Sequence, residues 1–98
     1  MIITGTLKSI NPVVEKISAK FSKVVFILTD NTNPQSPQHL PIELQNSKIG
    51  IISQFQAGDI VRVSLDMRGR EWKSRDGSVK YILSLVATQI EKADNGIF

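Results

Sequence analysis

Between Arg68 and Tyr81 the chain reads Arg-Gly-Arg-Glu-Trp-Lys-Ser-Arg-Asp-Gly-Ser-Val-Lys-Tyr. Five basic residues (Arg68, Arg70, Lys73, Arg75, Lys80) stand there against two acids (Glu71, Asp76), a net charge of +3. The whole chain is also +3, so the rest cancels, seven basic residues against seven acidic ones. The only Trp (Trp72) and the only Tyr (Tyr81) fall in the same stretch. Cations interleaved with aromatic rings suit a flexible nucleic-acid strand: the charges follow phosphates and the rings stack on bases. The same composition also suits a solvated hairpin whose charges serve solubility alone.

Asp76-Gly77 is a two-residue hairpin signal, since a type I′ turn needs positive φ at both central positions. With those two residues as the turn, Arg75 faces Ser78 and Lys73 faces Lys80. Trp72 then lies opposite Tyr81, with Cβ atoms about 5 Å apart. Arg68, Arg70 and Trp72 share parity and point to one face, continuing the polar side of Arg62, Ser64 and Asp66. The expected contacts are Arg68, Arg70, Lys73, Arg75 and Lys80 on phosphates, and Trp72 and Tyr81 on bases. Phe21 and Lys23, at the start of an earlier strand, extend the groove. This register also places Leu83 opposite Arg70 and Leu85 opposite Arg68, on the wet face. A one-residue bulge at Gly69 would reverse the parity of part of the ladder and turn Trp72 inward. An outer Leu83/Leu85 patch would otherwise form a subunit interface.

Little in the chain points to catalysis. His39 is the only His and lies beside Leu40-Pro41, as a surface residue would. There is no Cys, hence no thiolate nucleophile and no thiolate metal site. The six glycines are scattered and form no phosphate loop. Asp59, Asp66 and Asp76 read as strand and turn residues. The expectation is a binding protein without enzymatic activity, metal or cofactor.

The elements that must carry the basic stretch are mostly strands. Ile2 to Ile10 alternates roughly, with Gly5 marking a bulge or bend. Asn11-Pro12 breaks it, and a polar stretch runs to Lys20. Phe21 to Thr29 is a second strand, and its Val24–Leu28 run predicts burial on both faces. Asp30 to Pro37 is a loop. Gln38 to Leu44 is a short strand that Pro41 assigns to an edge or bulge. Asn46 to Gln56 is the one helix candidate, capped by Asn46 or Ser47, with Ile49, Ile52 and Phe55 as its apolar stripe. Val61, Val63, Leu65 and Met67 alternate with Arg62, Ser64, Asp66 and Arg68, and Val79 to Ile90 ends the set. This order predicts an all-β fold with one helix: a five-stranded OB-fold barrel, helix between strands 3 and 4. That fold binds oligonucleotides on its strand 2–3 face and its L12 and L45 loops. Closure also avoids the two exposed edges of an open sheet.

With 98 residues and 41% hydrophobic content, the chain suits one domain that buries about 65% of its unfolded surface. No apolar run approaches the ~20 residues of a membrane span, and the start lacks signal-peptide character. A soluble, cytoplasmic protein is expected.

Several segments together resemble a known family. Met1-Ile2-Ile3-Thr4-Gly5, Ile42-Glu43-Leu44, the helix, Gly58-Asp59-Ile60-Val61-Arg62-Val63 and Arg68-Gly69-Arg70-Glu71-Trp72 follow in order. They look like a family of small, largely uncharacterised bacterial and phage OB-fold proteins related to single-stranded-DNA-binding proteins. The resemblance spans roughly Met1 to Glu91 and implies an OB barrel in residues 1–91, with 92–98 as a short flexible tail. It suggests binding of single-stranded DNA, with RNA as the variant, low sequence specificity and a homo-oligomeric state. The polar, Pro-containing loop between strands two and three departs from the family pattern. The end of the chain, with Glu91, Asp94 and the terminal Ile97-Phe98, resembles in part the partner-docking tip of such proteins. The alternative reading is a protein-interaction or assembly module that binds no nucleic acid.

Overall fold

The computed structural model describes residues 1–11 and 13–93. Its elements are β1 (Ile2–Ile10), β2 (Glu15–Ser18), β3 (Phe21–Asp30), β4 (Gln38–Gln45), a 3₁₀ helix (Asn46–Gln54), β5 (Ile60–Lys73) and β6 (Val79–Lys92). The sheet runs β1-β5-β6-β4-β3-β2, and β1 also pairs with β3. That last pairing closes β1, β5, β6, β4 and β3 into a ring. All its ladders are antiparallel except β4–β6, which is parallel at Glu43↔Val86. A closed five-stranded ring with a helix between its third and fourth strands is the OB-fold barrel.

The interior follows from period-two alternation. Val61, Val63 and Leu65 of β5 are buried while Arg62 and Asp66 are exposed. Val24, Phe26 and Leu28 of β3 and Ile42 and Leu44 of β4 complete a core with no buried polar residue among the described residues. Val25 and Ile27 are only half-buried, so the Val24–Leu28 run is a one-sided strand and not the two-sided one its composition suggests. Its outer residues lie on the barrel's outer wall, where Val25 lines a groove with Pro41, Leu83 and Leu85.

Gly5 sits where β1 passes from β5 (Ile2 to Thr6) to β3 (Thr6 to Ile10). A Cβ there would overlap the carbonyl oxygen of Thr29. The glycine is needed for close backbone approach, and the bulge itself falls between Leu7 and Ser9.

Three local features depart from the sequence reading. The polar stretch before Lys20 contains a sixth strand, β2, whose residues are all exposed and which pairs with β3 through Glu15↔Lys23 and Lys16↔Ser22. It has no apolar alternation to reveal it. The helix is 3₁₀ and ends at Gln54, and it has no side-chain cap. Asn46 instead takes a left-handed φ of 52°, and its Oδ1 accepts a hydrogen bond from Ser22 N–H at 3.0 Å. The three-residue spacing of Ile49, Ile52 and Phe55 is the natural period of that tighter helix, and all three pack against the core. Third, the bulge in the β5–β6 ladder lies at Thr88, because Ser64 pairs with Gln89 and Leu65 with Ala87. There is none at Gly69.

The β5–β6 ribbon outruns the barrel. β1 accompanies β5 only to Ser64, and β4 meets β6 only at Val86, yet the ladder continues to Lys73↔Val79. The radius of gyration, 15.1 Å, exceeds the about 13 Å of a compact domain this size. No described helix is long and apolar enough to cross a membrane.

Candidate nucleic-acid interface

The tip of the ribbon sets everything along it. Ser74 N–H donates to Ser78 O at 2.9 Å, and Gly77 N–H to Ser74 O at 3.1 Å. Gly77 has φ +89° while Asp76 keeps a negative φ. The loop is therefore the three residues Arg75-Asp76-Gly77, a turn followed by a left-handed glycine, and not a two-residue type I′ turn. The Asp76 carboxylate holds it shut: its Oδ1 accepts from Ser78 N–H at 2.8 Å and from the Ser74 hydroxyl. Those bonds, Ser74 first, pull the Asp76 carboxyl down to about 2. A type I′ turn would require Asp76 at positive φ; here it spends its side chain on the turn's own donors instead.

The extra loop residue shifts the register by one and re-sorts the side chains. Trp72 pairs with Lys80, not with Tyr81; Glu71 pairs with Tyr81, Arg70 with Ile82, Gly69 with Leu83 and Arg68 with Ser84. One face of the ribbon therefore carries Arg68, Arg70, Trp72 and Lys80. Trp72 is 48% exposed, so it does not turn into the core, and Lys80 Nζ stands 5.7 Å from its ring centroid. The opposite face carries Met67, Glu71, Lys73, Val79, Tyr81, Leu83 and Leu85. Tyr81 and Lys73 are thus separated from the Trp72 row, Leu83 and Leu85 lie away from it, and Ile82, opposite Arg70, is the apolar residue of β6 on the basic face. Arg75 sits in the loop itself.

At its base the basic face opens into a groove of about 190 Å³ that Phe21 and Lys23 of β3 share with Arg68 and Arg70. Glu43 and Gln45 of β4 and Ser84 of β6 also line it. The sequence reading did not single these out, although the burial of Ile42 and Leu44 in alternation with them fixes Glu43 and Gln45 as outward-facing. Lys23 Nζ lies 3.5 Å from Glu43 and 3.9 Å from Glu15, so its charge is largely answered within the protein. Arg68 reaches Gln45 Oε1 at 3.4 Å and Asp66 at 3.6 Å. Among the described residues no carboxylate lies within ion-pair distance of Arg70 or Lys80. The basic face thus carries two cations, Arg70 and Lys80, without a carboxylate partner among the described residues, and Lys80 stands over the Trp72 ring.

His39 is spent on a hydrogen bond, its Nδ1 2.9 Å from Thr29 Oγ1. No group of three or more His, Cys, Asp or Glu among the described residues could hold a metal. The terminal residues Ile97 and Phe98, expected to dock a partner, lie outside the described residues.

Known structures share this architecture. Mitochondrial single-stranded DNA binding protein Rim1 of S. cerevisiae is similar with a TM-score of 0.70 and 24% identity, over 98% of this chain and 95% of that one. The N-terminal domain of PriB from Thermoanaerobacter tencongensis, a dimeric structure, gives a TM-score of 0.65 and 16% identity over 97% and 96% of the two chains. The second single-stranded DNA binding protein of Mycobacterium smegmatis, SSBb, gives 0.60 and 17% over 94% and 85%. At these identities the likeness establishes the fold. No curated protein matches the chain. A family model matches residues 2–91, and by that match the chain belongs to the family described as Domain of unknown function (DUF3127).

Proposed function

We propose that this chain is a non-enzymatic, soluble and cytoplasmic binding module for single-stranded nucleic acid, DNA in the first place, with low sequence specificity. The observation that carries the reading is the single face shared by Arg68, Arg70, Trp72 and Lys80 on a ribbon that stands clear of the barrel. A strand lying along it meets three cations for its phosphates and a half-exposed indole for a base. The groove toward Phe21 and Lys23 continues the track, and Arg75 at the loop supplies a further cation. Tyr81 and Lys73 face away from this track and are left out of it. The similarity to proteins described as binding single-stranded DNA supports the same reading.

Titration of labelled oligo(dT) at several salt concentrations tests it. With three to five phosphates neutralised, log affinity should fall against log salt with a slope of roughly −2 to −3.5. Absence of binding at tens of micromolar protein in low salt would overturn the proposal. It would favour the second reading, an assembly module, which the exposed apolar face of Met67, Tyr81 and Leu83 supports. Preference for a folded RNA over a single strand of equal length would redirect it to structured RNA.

A further inference from the structure

A carboxylate stands inside the basic groove. Glu43 pairs with Val25 of β3 on one side and with Val86 of β6 on the other. It lines the groove with Phe21, Lys23, Gln45, Arg68 and Arg70, and its side chain is 15% exposed. A negative charge beside a path for phosphates weakens sequence-independent binding, so the carboxylate has to be explained. Lys23 offsets the charge without exhausting the group. Glu43 Oε2 accepts from Lys23 Nζ at 3.5 Å, and Oε1 from Gln45 Nε2 at 3.1 Å. An ionised carboxylate offers about four acceptor sites, so about half of that capacity is unused. The arginines do not take it. Arg68 is held by Gln45 Oε1 at 3.4 Å and by Asp66 at 3.6 Å. Among the described residues neither Arg68 nor Arg70 forms an ion pair with Glu43.

We propose that this groove holds one guanine base, read by the Glu43 carboxylate, as a single position of base preference on a track otherwise indifferent to sequence. The proposal rests on the strand-binding reading above and names the base that its groove takes.

Hydrogen-bond complementarity selects guanine. Its Watson–Crick edge carries two adjacent donors, the N1–H and the 2-amino group, spaced to meet the two oxygens of one carboxylate. Adenine and cytosine each present one amino group beside a ring nitrogen whose lone pair opposes a carboxylate. Thymine presents one N–H between two carbonyls. Guanine alone meets both Glu43 oxygens with donors, and the bases of a single strand are open to reading on this edge. Phe21, half-buried and two residues before Lys23 on the same face of β3, supplies a ring for the base to stack on. The volume of about 190 Å³ is below the roughly 300–1,000 Å³ of a whole small-molecule site, so the groove admits one base. Arg68 and Arg70 on its β5 side remain for the flanking phosphates. Lys23 and Gln45 hold the carboxylate in place, so it is oriented before the base arrives.

The test is competition against labelled oligo(dT) on the whole chain, using strands of about 10 nucleotides that differ from oligo(dT) at one central base. A single dG should tighten binding about fivefold or more, with dA and dC close to the all-dT strand. Deoxyinosine, which keeps the N1–H and lacks the 2-amino group, should fall between dG and dA. Glu43→Gln should abolish the dG advantage and bind the all-dT strand more tightly, since the track loses a negative charge. These two readouts move in opposite directions, whereas a misfolded variant would lose both, and the deoxyinosine series needs no variant at all. A parent chain that binds oligo(dT) but prefers dG no more than dA would overturn the guanine site and leave strand binding standing. Deoxyinosine equal to dG would refute the two-donor contact, and a dG advantage retained in Glu43→Gln would remove Glu43 as its reader. A parent chain that binds none of the strands would overturn the strand-binding reading itself, and this site with it.

Discussion

Replacing Trp72 by Ala separates the stacking role from a structural one. The indole is 48% exposed and outside the core, and Lys80 Nζ stands over its ring, 5.7 Å from the centroid. An exposed cation–π contact is worth about 0.5–1 kcal/mol. For a domain this size that corresponds to a fall in Tm of about 2–8 °C, so the variant should remain folded at 25 °C. If the ring stacks on a base, its removal costs about 1–3 kcal/mol of binding, or about 5- to 150-fold in Kd. The assay is fluorescence anisotropy of labelled oligo(dT) with parent, Trp72→Phe and Trp72→Ala chains, with Phe falling between the other two. Because Trp72 is the only Trp, quenching of intrinsic fluorescence in the parent reports the same contact directly. A folded Trp72→Ala chain with unchanged affinity, together with no quenching in the parent, would refute the placement of a base on this ring.

The two ribbon faces make an internal control: Arg70→Gln should lower the steepness of the salt dependence by about 0.7, whereas Lys73→Gln on the back face should leave it within error of the parent. Asp76 has a depressed carboxyl, so its contribution to hairpin order is complete above its ordinary value of 3.8 and is lost as pH falls toward about 2. Exchange protection of the Ser78 amide should therefore drop across that window in the parent, and be low and flat with pH in Asp76→Ala. Gly5→Ala drives a methyl group into the Thr29 carbonyl and should cost about 2–4 kcal/mol in urea unfolding; a loss under 0.5 kcal/mol would show that the β1–β3 corner yields easily.

Features that depend only on neighbours along the chain were legible in the order of residues. Alternation in Val61 to Met67 named the buried side of β5, and the order of elements named the barrel. The clustering of Arg68, Arg70, Trp72 and Lys80 within one hairpin is also a property of the linear chain. Arg68, Arg70 and Trp72 share a face in any regular strand, because parity needs no partner. Tertiary structure decided what depends on a partner strand. Side chains alternate with a period of two, so one loop residue more or fewer exchanges the faces of a whole strand. Whether Asp76 adopts positive φ or turns its carboxylate on Ser74 and Ser78 is such a one-residue choice. It moved Tyr81 to the back of the ribbon, brought Lys80 to Trp72 and removed Leu83 from the basic face. β2 escaped notice because it buries nothing, and the 3₁₀ helix because its stripe also fits an α-helix. The groove joining Phe21 and Lys23 to Arg68 and Arg70 exists only because the ring closes β3 and β4 against β6, a pairing between segments some forty residues apart.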